Sequence, residues 1–186
     1  PYVPGEQPKD RAYVKLNANE NPYPPSPAGA KALRDFDPAS LRLYPDPDAN
    51  ELRAAIAKML GSGVTPSMIF AGNGSDEVLS FIFYTFFDSD APVVFPEHTY
   101  SFYPVYAGYY DIPFRKVPLR ADYSIDADAM LAGKSTGVIF PNPNAPTGVY
   151  MPLSEIRAFL ERAPRDRVVV IDEAYIDFGG ETAIGL

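Results

Sequence analysis

RVVVIDEAY, Arg167 to Tyr175, decides the fold. Val168 to Ile171 are four β-branched residues in a row, without polar alternation. That is the signature of a strand buried on both faces. Asp172 follows at once. A carboxylate at the end of a buried strand sits at low dielectric, so leaving it unpaired is costly. It calls for a metal, a cation or a protonated ring nitrogen, and the residues alone leave these three open.

Upstream, short apolar strands alternate with helical patterns. Leu153 to Ala163 has helical spacing, and Val138 to Pro141 reads as a strand ending in a turn-rich run. Phe114 to Leu119 is a strand limited by Pro118, and Pro92 to Phe95 is another short buried strand. A helix is expected over Tyr100 to Tyr109. A second, over about Asp76 to Phe87, is capped by Ser75 and is apolar nearly all round, which implies burial. Met68 to Ala71 is a short strand candidate. Before it, Asp48 and Glu51 form a capping-box pattern, and Leu52, Ala55, Ile56, Met59 and Leu60 share one helical face that Gly61 ends. Alternation without hairpin signals gives an α/β class, a mostly parallel sheet flanked by helices. Ligands of such sheets bind outside the carboxyl ends of the strands.

Residues 1–40 differ. They include NENPYPPSP at Asn19 to Pro27 and much of the chain's total of 21 prolines. Proline lacks a donor and biases its predecessor to extended backbone. An extended Pro-rich N-terminal arm follows, with at most a short helix near Pro27 to Phe36. Residues 41–186 then form one larger domain. The arm must be tied down on that domain or on another chain.

Composition excludes several classes. The formal charge of −8 argues against nucleic acid, whose phosphates need clustered Lys and Arg. There is no Cys, and His98 is the only histidine, so disulfides, thiolate metal sites and His-pair metal sites are out. No apolar run is long enough for a membrane span, no signal pattern opens the chain, and a cytoplasmic location is the default expectation.

Three stretches after strands carry chemistry. Ala71-Gly72-Asn73-Gly74-Ser75-Asp76-Glu77 is a glycine-rich turn into a helix. Its glycines allow close backbone approach, and the helix start offers free N–H groups, a phosphate cradle without lysine; a plain capped turn is the competing reading. PNPNAPTG, Pro141 to Gly148, can aim Asn142 or Asn144 into a cleft, or simply be a rigid loop. Asp172 to Tyr175 is the third. Gly133-Lys134-Ser135-Thr136 only superficially resembles a P-loop, because Asp128 stands where the first glycine is required.

Together and in order, LNANENP (Leu16 to Pro22), YPDPD (Tyr44 to Asp48), GNGSDE, HTYSFY (His98 to Tyr103), PNPNAPTG and IDEAY resemble the fold-type I pyridoxal-phosphate aminotransferases. The nearest match is the histidinol-phosphate aminotransferase family, over about Val14 to Tyr175. The resemblance implies the amino-terminal half of such an enzyme, with an incomplete large domain and with residues 1–40 as arm and small-domain segment. It implies pyridoxal 5′-phosphate as cofactor, amine transfer between histidinol phosphate and 2-oxoglutarate in histidine biosynthesis, and a homodimer with shared sites.

The same resemblance assigns roles. The backbone of Ser75 and Asp76 would hold the cofactor phosphate, and Tyr100 would stack on the ring. Asp172 would pair with the ring nitrogen, keeping the ring an electron sink. Tyr175 would bond the ring hydroxyl, Tyr44 would reach the neighbouring subunit's cofactor phosphate, and Asn17, Asn19 and Tyr23 would cover the substrate. The family has asparagine immediately before Pro-Thr-Gly; here Ala145 stands there, and Asn144 is the substitute candidate. No lysine has the context of the family's Schiff-base lysine. Lys9, Lys15, Lys31, Lys58, Lys116 and Lys134 read as surface residues, so this polypeptide is expected not to transaminate. Threonine-phosphate decarboxylase and aromatic aminotransferases of the same fold are the alternatives, as is a non-catalytic ligand-binding or interaction fragment.

Overall fold

A computed structural model describes residues 6–17 and 19–186. It divides into two compact units, Pro1–Asp48 and Ala49–Leu186, against the boundary after residue 40 expected from composition.

In the first unit, α1 (Pro27–Asp35) is capped by Ser26, whose hydroxyl accepts the Gly29 N–H at 3.1 Å. A 3₁₀ turn, Pro38–Arg42, follows behind Asp37, which accepts the Ala39 N–H. Both begin with proline, whose fixed φ suits a first helical position. None of the described residues of this unit is buried, so its leucines and tyrosines have no core of their own. That is the form an arm takes.

The second unit is built on four parallel strands. They are β1 (Val93–Pro96), β2 (Phe114–Val117), β3 (Gly137–Pro141) and β4 (Val168–Asp172), ordered β2-β1-β3-β4. Helices α3 (Gly74–Phe86) and α4 (Tyr103–Tyr109) cover one face, and α5 (Ala127–Leu131) and α6 (Leu153–Arg162) the other. Strand alternation sorts the core. Val93, Phe95 and Ile139 pack with Leu79, Phe83, Tyr103 and Tyr106, while Val94, Val138 and Phe140 pack with Met130, Ile156 and Phe159. Fully burying one such side chain stabilises by roughly 1.5–3 kcal/mol.

Several expectations change. β4 is half-buried, not the most buried strand, because it stands at the sheet edge. Met68 to Ala71 forms no strand. A 3₁₀ turn takes Pro66–Met68, and the extended backbone at Ile69 finds no sheet edge to pair with. Helix α2 (Asn50–Leu60) ends at Gly61 (φ +61°) as expected, but it starts after Ala49, so the Asp48 capping box does not form. Only Ala57 of α2 is buried, and Met59 is 76% exposed. Helix α3 likewise buries Leu79 and Phe83 and leaves Phe81, Tyr84 and Phe86 open, against the expected all-round burial. Helix α5 has no counterpart in the sequence reading. Asp126 caps it, and Arg115 and Arg167 donate to the carbonyls of Ala129, Ala132, Leu131 and Gly133 at its end. No helix among the described residues is long and apolar enough to cross a membrane.

Candidate functional site

The recess lies beyond the carboxyl ends of β3 and β4. Ser75, Tyr100, Pro141, Ala145, Asp172, Ala174 and Tyr175 line it. Four expected site residues, Ser75, Tyr100, Asp172 and Tyr175, drawn from three separate stretches of sequence, thus meet at one place. The recess is about 50 Å³, small beside the roughly 300 Å³ at which enclosed ligand pockets begin. These residues are one wall of a site, and a heterocycle would lie against them.

The cradle is shaped by two glycines. Gly74 opens α3 at φ +78°, a backbone that glycine alone takes without strain. A Cβ on Gly72 would stand 2.9 Å from Glu77 Oε2. Helix α3 begins at Gly74, so Ser75 sits inside its first turn and not at the cap, where Asn73 stands. Glu77 reaches back to accept the Asn73 N–H at 2.6 Å. The first-turn amides of Ser75 and Asp76 have no intrahelical acceptor, and the helix dipole places partial positive charge there. An anion fits this end.

At the other end, Asp172 closes β4. Its Oδ2 accepts the Tyr103 hydroxyl at 2.8 Å and its Oδ1 the Ala174 N–H at 3.1 Å. Each oxygen thus has one donor and retains a lone pair for a further partner. Among the described residues, no group of three or more His, Cys, Asp or Glu could hold a metal. The donor set around Asp172 suits a protonated heterocycle.

Aromatic rings join the two ends. Tyr100 donates to Asp76 Oδ1 at 2.6 Å, and Tyr106 donates to the Asp76 carbonyl and carboxylate at 3.0 and 3.2 Å. Tyr100 stacks on Phe102 at 5.8 Å and meets Tyr103 edge-on at 5.7 Å. Burial, then the neighbouring carboxylates, push all three phenols above their ordinary range, so they are neutral donors. Asp76 therefore works through its side chain as well as its backbone, and Tyr103 and Tyr106 belong to the site. Sequence reading named Asp76 for its backbone alone and missed Tyr103 and Tyr106. The signal was Tyr100, Tyr103, Tyr106 and Tyr110, spaced by three and four along one helical face.

Asn144 takes a different part from the one expected. It is buried, and its Nδ2 donates to the His98 carbonyl and to Thr147 Oγ1, both at 3.0 Å. With its amide hydrogens engaged by His98 and Thr147, it is no donor to a ring hydroxyl; Ala145 lines the recess instead. Asn142 is also a strut, bonded to the Met151 backbone through both side-chain ends. Tyr175 lines the recess and packs on Phe178. Tyr44, fully exposed, and Asn17, Asn19 and Tyr23 belong to the first unit and are not among the residues that line the recess. None of the six lysines lines it; five are exposed, and Lys15 pairs with Glu20.

A profile of the family "Aminotransferase class I and II" matches residues 11–185. The histidinol-phosphate aminotransferase of Syntrophus aciditrophicus (strain SB) is 58% identical over 190 residues, covering all of this chain and 52% of the relative. Its counterpart in Pseudomonas putida KT2440 is 55% identical over 186 residues, with 100% and 52% covered. Among solved structures, the histidinol-phosphate aminotransferase of Sinorhizobium meliloti in complex with pyridoxal-5′-phosphate aligns at TM-score 0.78 and 29% identity, over 86% of this chain and 44% of that one. The L-threonine-O-3-phosphate decarboxylase of Porphyromonas gingivalis aligns at 0.67 and 26%, over 83% and 45%. The chain spans about half the length of the curated relatives it matches. With the match running over nearly its whole length, the chain belongs to the class I and II aminotransferases.

Proposed function

We propose that these residues are the half of a pyridoxal-phosphate enzyme that holds the cofactor's phosphate and ring nitrogen. The protein carrying them would move the amino group of histidinol phosphate to 2-oxoglutarate, giving imidazole-acetol phosphate and glutamate. The observation that carries this is the meeting of Ser75, Tyr100, Asp172 and Tyr175 in one recess. The substrate rests on relatives of that name at 58% and 55% identity.

Each residue then has a task. The first-turn amides of Ser75 and Asp76, with the Ser75 hydroxyl, bind the phosphate dianion. The Tyr100 ring, fixed by its bond to Asp76, gives the heterocycle a face to lie on. Asp172 accepts the ring N–H and keeps that proton in place, and the Tyr175 hydroxyl donates to the ring oxygen. Bound there, pyridoxal phosphate supplies the electron sink for loss of the substrate's α-proton. Tyr44 of a second copy completes the phosphate site, which makes the protein a homodimer; Asn17, Asn19 and Tyr23 cover the substrate; and the enzyme works in the cytoplasm. The lysine that moves the proton lies outside these 186 residues, which alone do not transaminate.

The test uses the longest reading frame that carries these residues. Glutamate formation from histidinol phosphate and 2-oxoglutarate is expected, and no carbon dioxide from threonine phosphate. The reverse pattern overturns the substrate. A borohydride-trapped adduct between pyridoxal phosphate and one of the six lysines in these residues overturns the account of the missing lysine.

A further inference from the structure

We propose that Tyr103 is the positioning residue of Asp172, its hydroxyl holding the carboxylate in one orientation. This rests on reading Asp172 as the partner of a ring nitrogen. Tyr103 is fully buried, among the rings of Phe83 at 6.1 Å, Phe95 at 5.9 Å and Tyr100 at 5.7 Å. A phenylalanine would fill the same space. The hydroxyl has one described partner, Asp172 Oδ2 at 2.8 Å, on a residue 69 positions away.

Asp172 needs such a donor. It is half-buried, and no described Lys or Arg side chain pairs with it. The backbone serves only Oδ1, through Ala174. A hydrogen bond donated to the charged form of an acid favours that form. Bonds to charged groups are also the stronger kind. Because burial keeps the Tyr103 phenol protonated far above neutrality, the donor is present at every working pH. Both oxygens are thus fixed from below, and each retains a lone pair for a ligand.

The probe is 4′-deoxypyridoxine 5′-phosphate, which has the phosphate and the ring nitrogen but no aldehyde. Its fluorescence reads binding without any lysine chemistry. The protein is the longest reading frame carrying these residues, as wild type, Tyr103→Phe, Asp172→Asn and the double variant. Tyr103→Phe is expected to weaken binding about tenfold in the wild-type background and less than twofold in the Asp172→Asn background. Glu173 is bound to Thr182 and Ala183, so Asp172 is the carboxylate that the Tyr103 hydroxyl serves.

Equal weakening in both backgrounds makes Tyr103 a packing residue and overturns the proposal while leaving the recess a cofactor site. A wild-type protein that does not bind the probe removes the site itself, and this inference with it.

Discussion

Replacing Gly137 by alanine tests the sheet that sets Asp172 in place. Gly137 is buried in β3, in register with Val93 on one side and Val168 on the other. A Cβ built there stands 2.5 Å from the Val168 carbonyl oxygen and 2.8 Å from Phe87 Cε1, well inside the 3.4–4 Å of ordinary contact. The Phe87 ring is itself buried at 5% exposure, and the Val168 oxygen belongs to a backbone ladder. Neither can yield alone, so β4 must move. Overpacking costs about 1–3 kcal/mol, and backbone displacement puts this case near the top, ~3 kcal/mol. In a chain of roughly 150–250 residues each kcal/mol lowers the melting temperature by about 2–4 °C, hence a fall of ~6–12 °C. Gly108→Ala is the control. Gly108 lies within α4 with nothing within 4 Å of its added Cβ, so alanine should raise the melting temperature by a few degrees. Far-UV circular dichroism melts of both variants read the contrast. A Gly137→Ala melt within ~2 °C of the parent, well short of the ~6 °C minimum worked above, would refute the packing at β3 and β4.

Other outcomes follow from the same contacts. Asn142→Ala leaves the buried Met151 N–H and C=O without their partners at 2.7 and 3.1 Å, and should cost about 2–4 kcal/mol in urea unfolding; less than ~1 kcal/mol would mean that water replaces the amide. Phe83→Ala removes a ring between Phe87 and Tyr106, 5.2 and 5.5 Å away, and should cost about 3–5 kcal/mol by the same measurement. Asp76→Asn removes the carboxylate beside Tyr100 and Tyr106, so their phenols should ionise at lower pH in a 295 nm titration. An unchanged titration would disconnect Asp76 from both. Because the native phenols keep protons that the unfolded chain releases above about pH 10, stability should be intact below that pH and decline above it. Tyr103→Phe should flatten the decline.

What was legible in the sequence was whatever depends on local pattern. The β-branched run Val168 to Ile171, the apolar run ending at Pro141 and the glycines around Asn73 each fix a strand or turn by themselves, and the recess forms where they end. What was not legible depends on neighbours far along the chain. Met68 to Ala71 has strand composition, but a strand needs an edge to pair with. Leu52, Met59, Phe81 and Tyr84 have core composition, yet they remain 47–76% exposed among the described residues. Asn144 had the right chemistry for a ligand donor and was claimed by the His98 carbonyl, 46 positions away. Helix α5 is short, and two distant arginines hold its end, which no local window reveals.

An acid at each end of the recess raises an electrostatic question, since only one end should welcome negative charge. Asp172 faces the end where a cation is expected, and two donors there leave its charge available. Asp76 sits in the first turn of α3, beside amides that would hold a phosphate, where a bare carboxylate would repel it. The two tyrosines resolve this. Tyr100 and Tyr106 both donate to Asp76 Oδ1, so its charge is spent on phenols, and the helix start further offsets it. The same bond fixes the Tyr100 ring. A carboxylate that would be a liability beside a phosphate is thus the anchor of the Tyr100 ring, and the aromatic cluster between Asp76 and Asp172 would let two like charges serve opposite ends of one ligand.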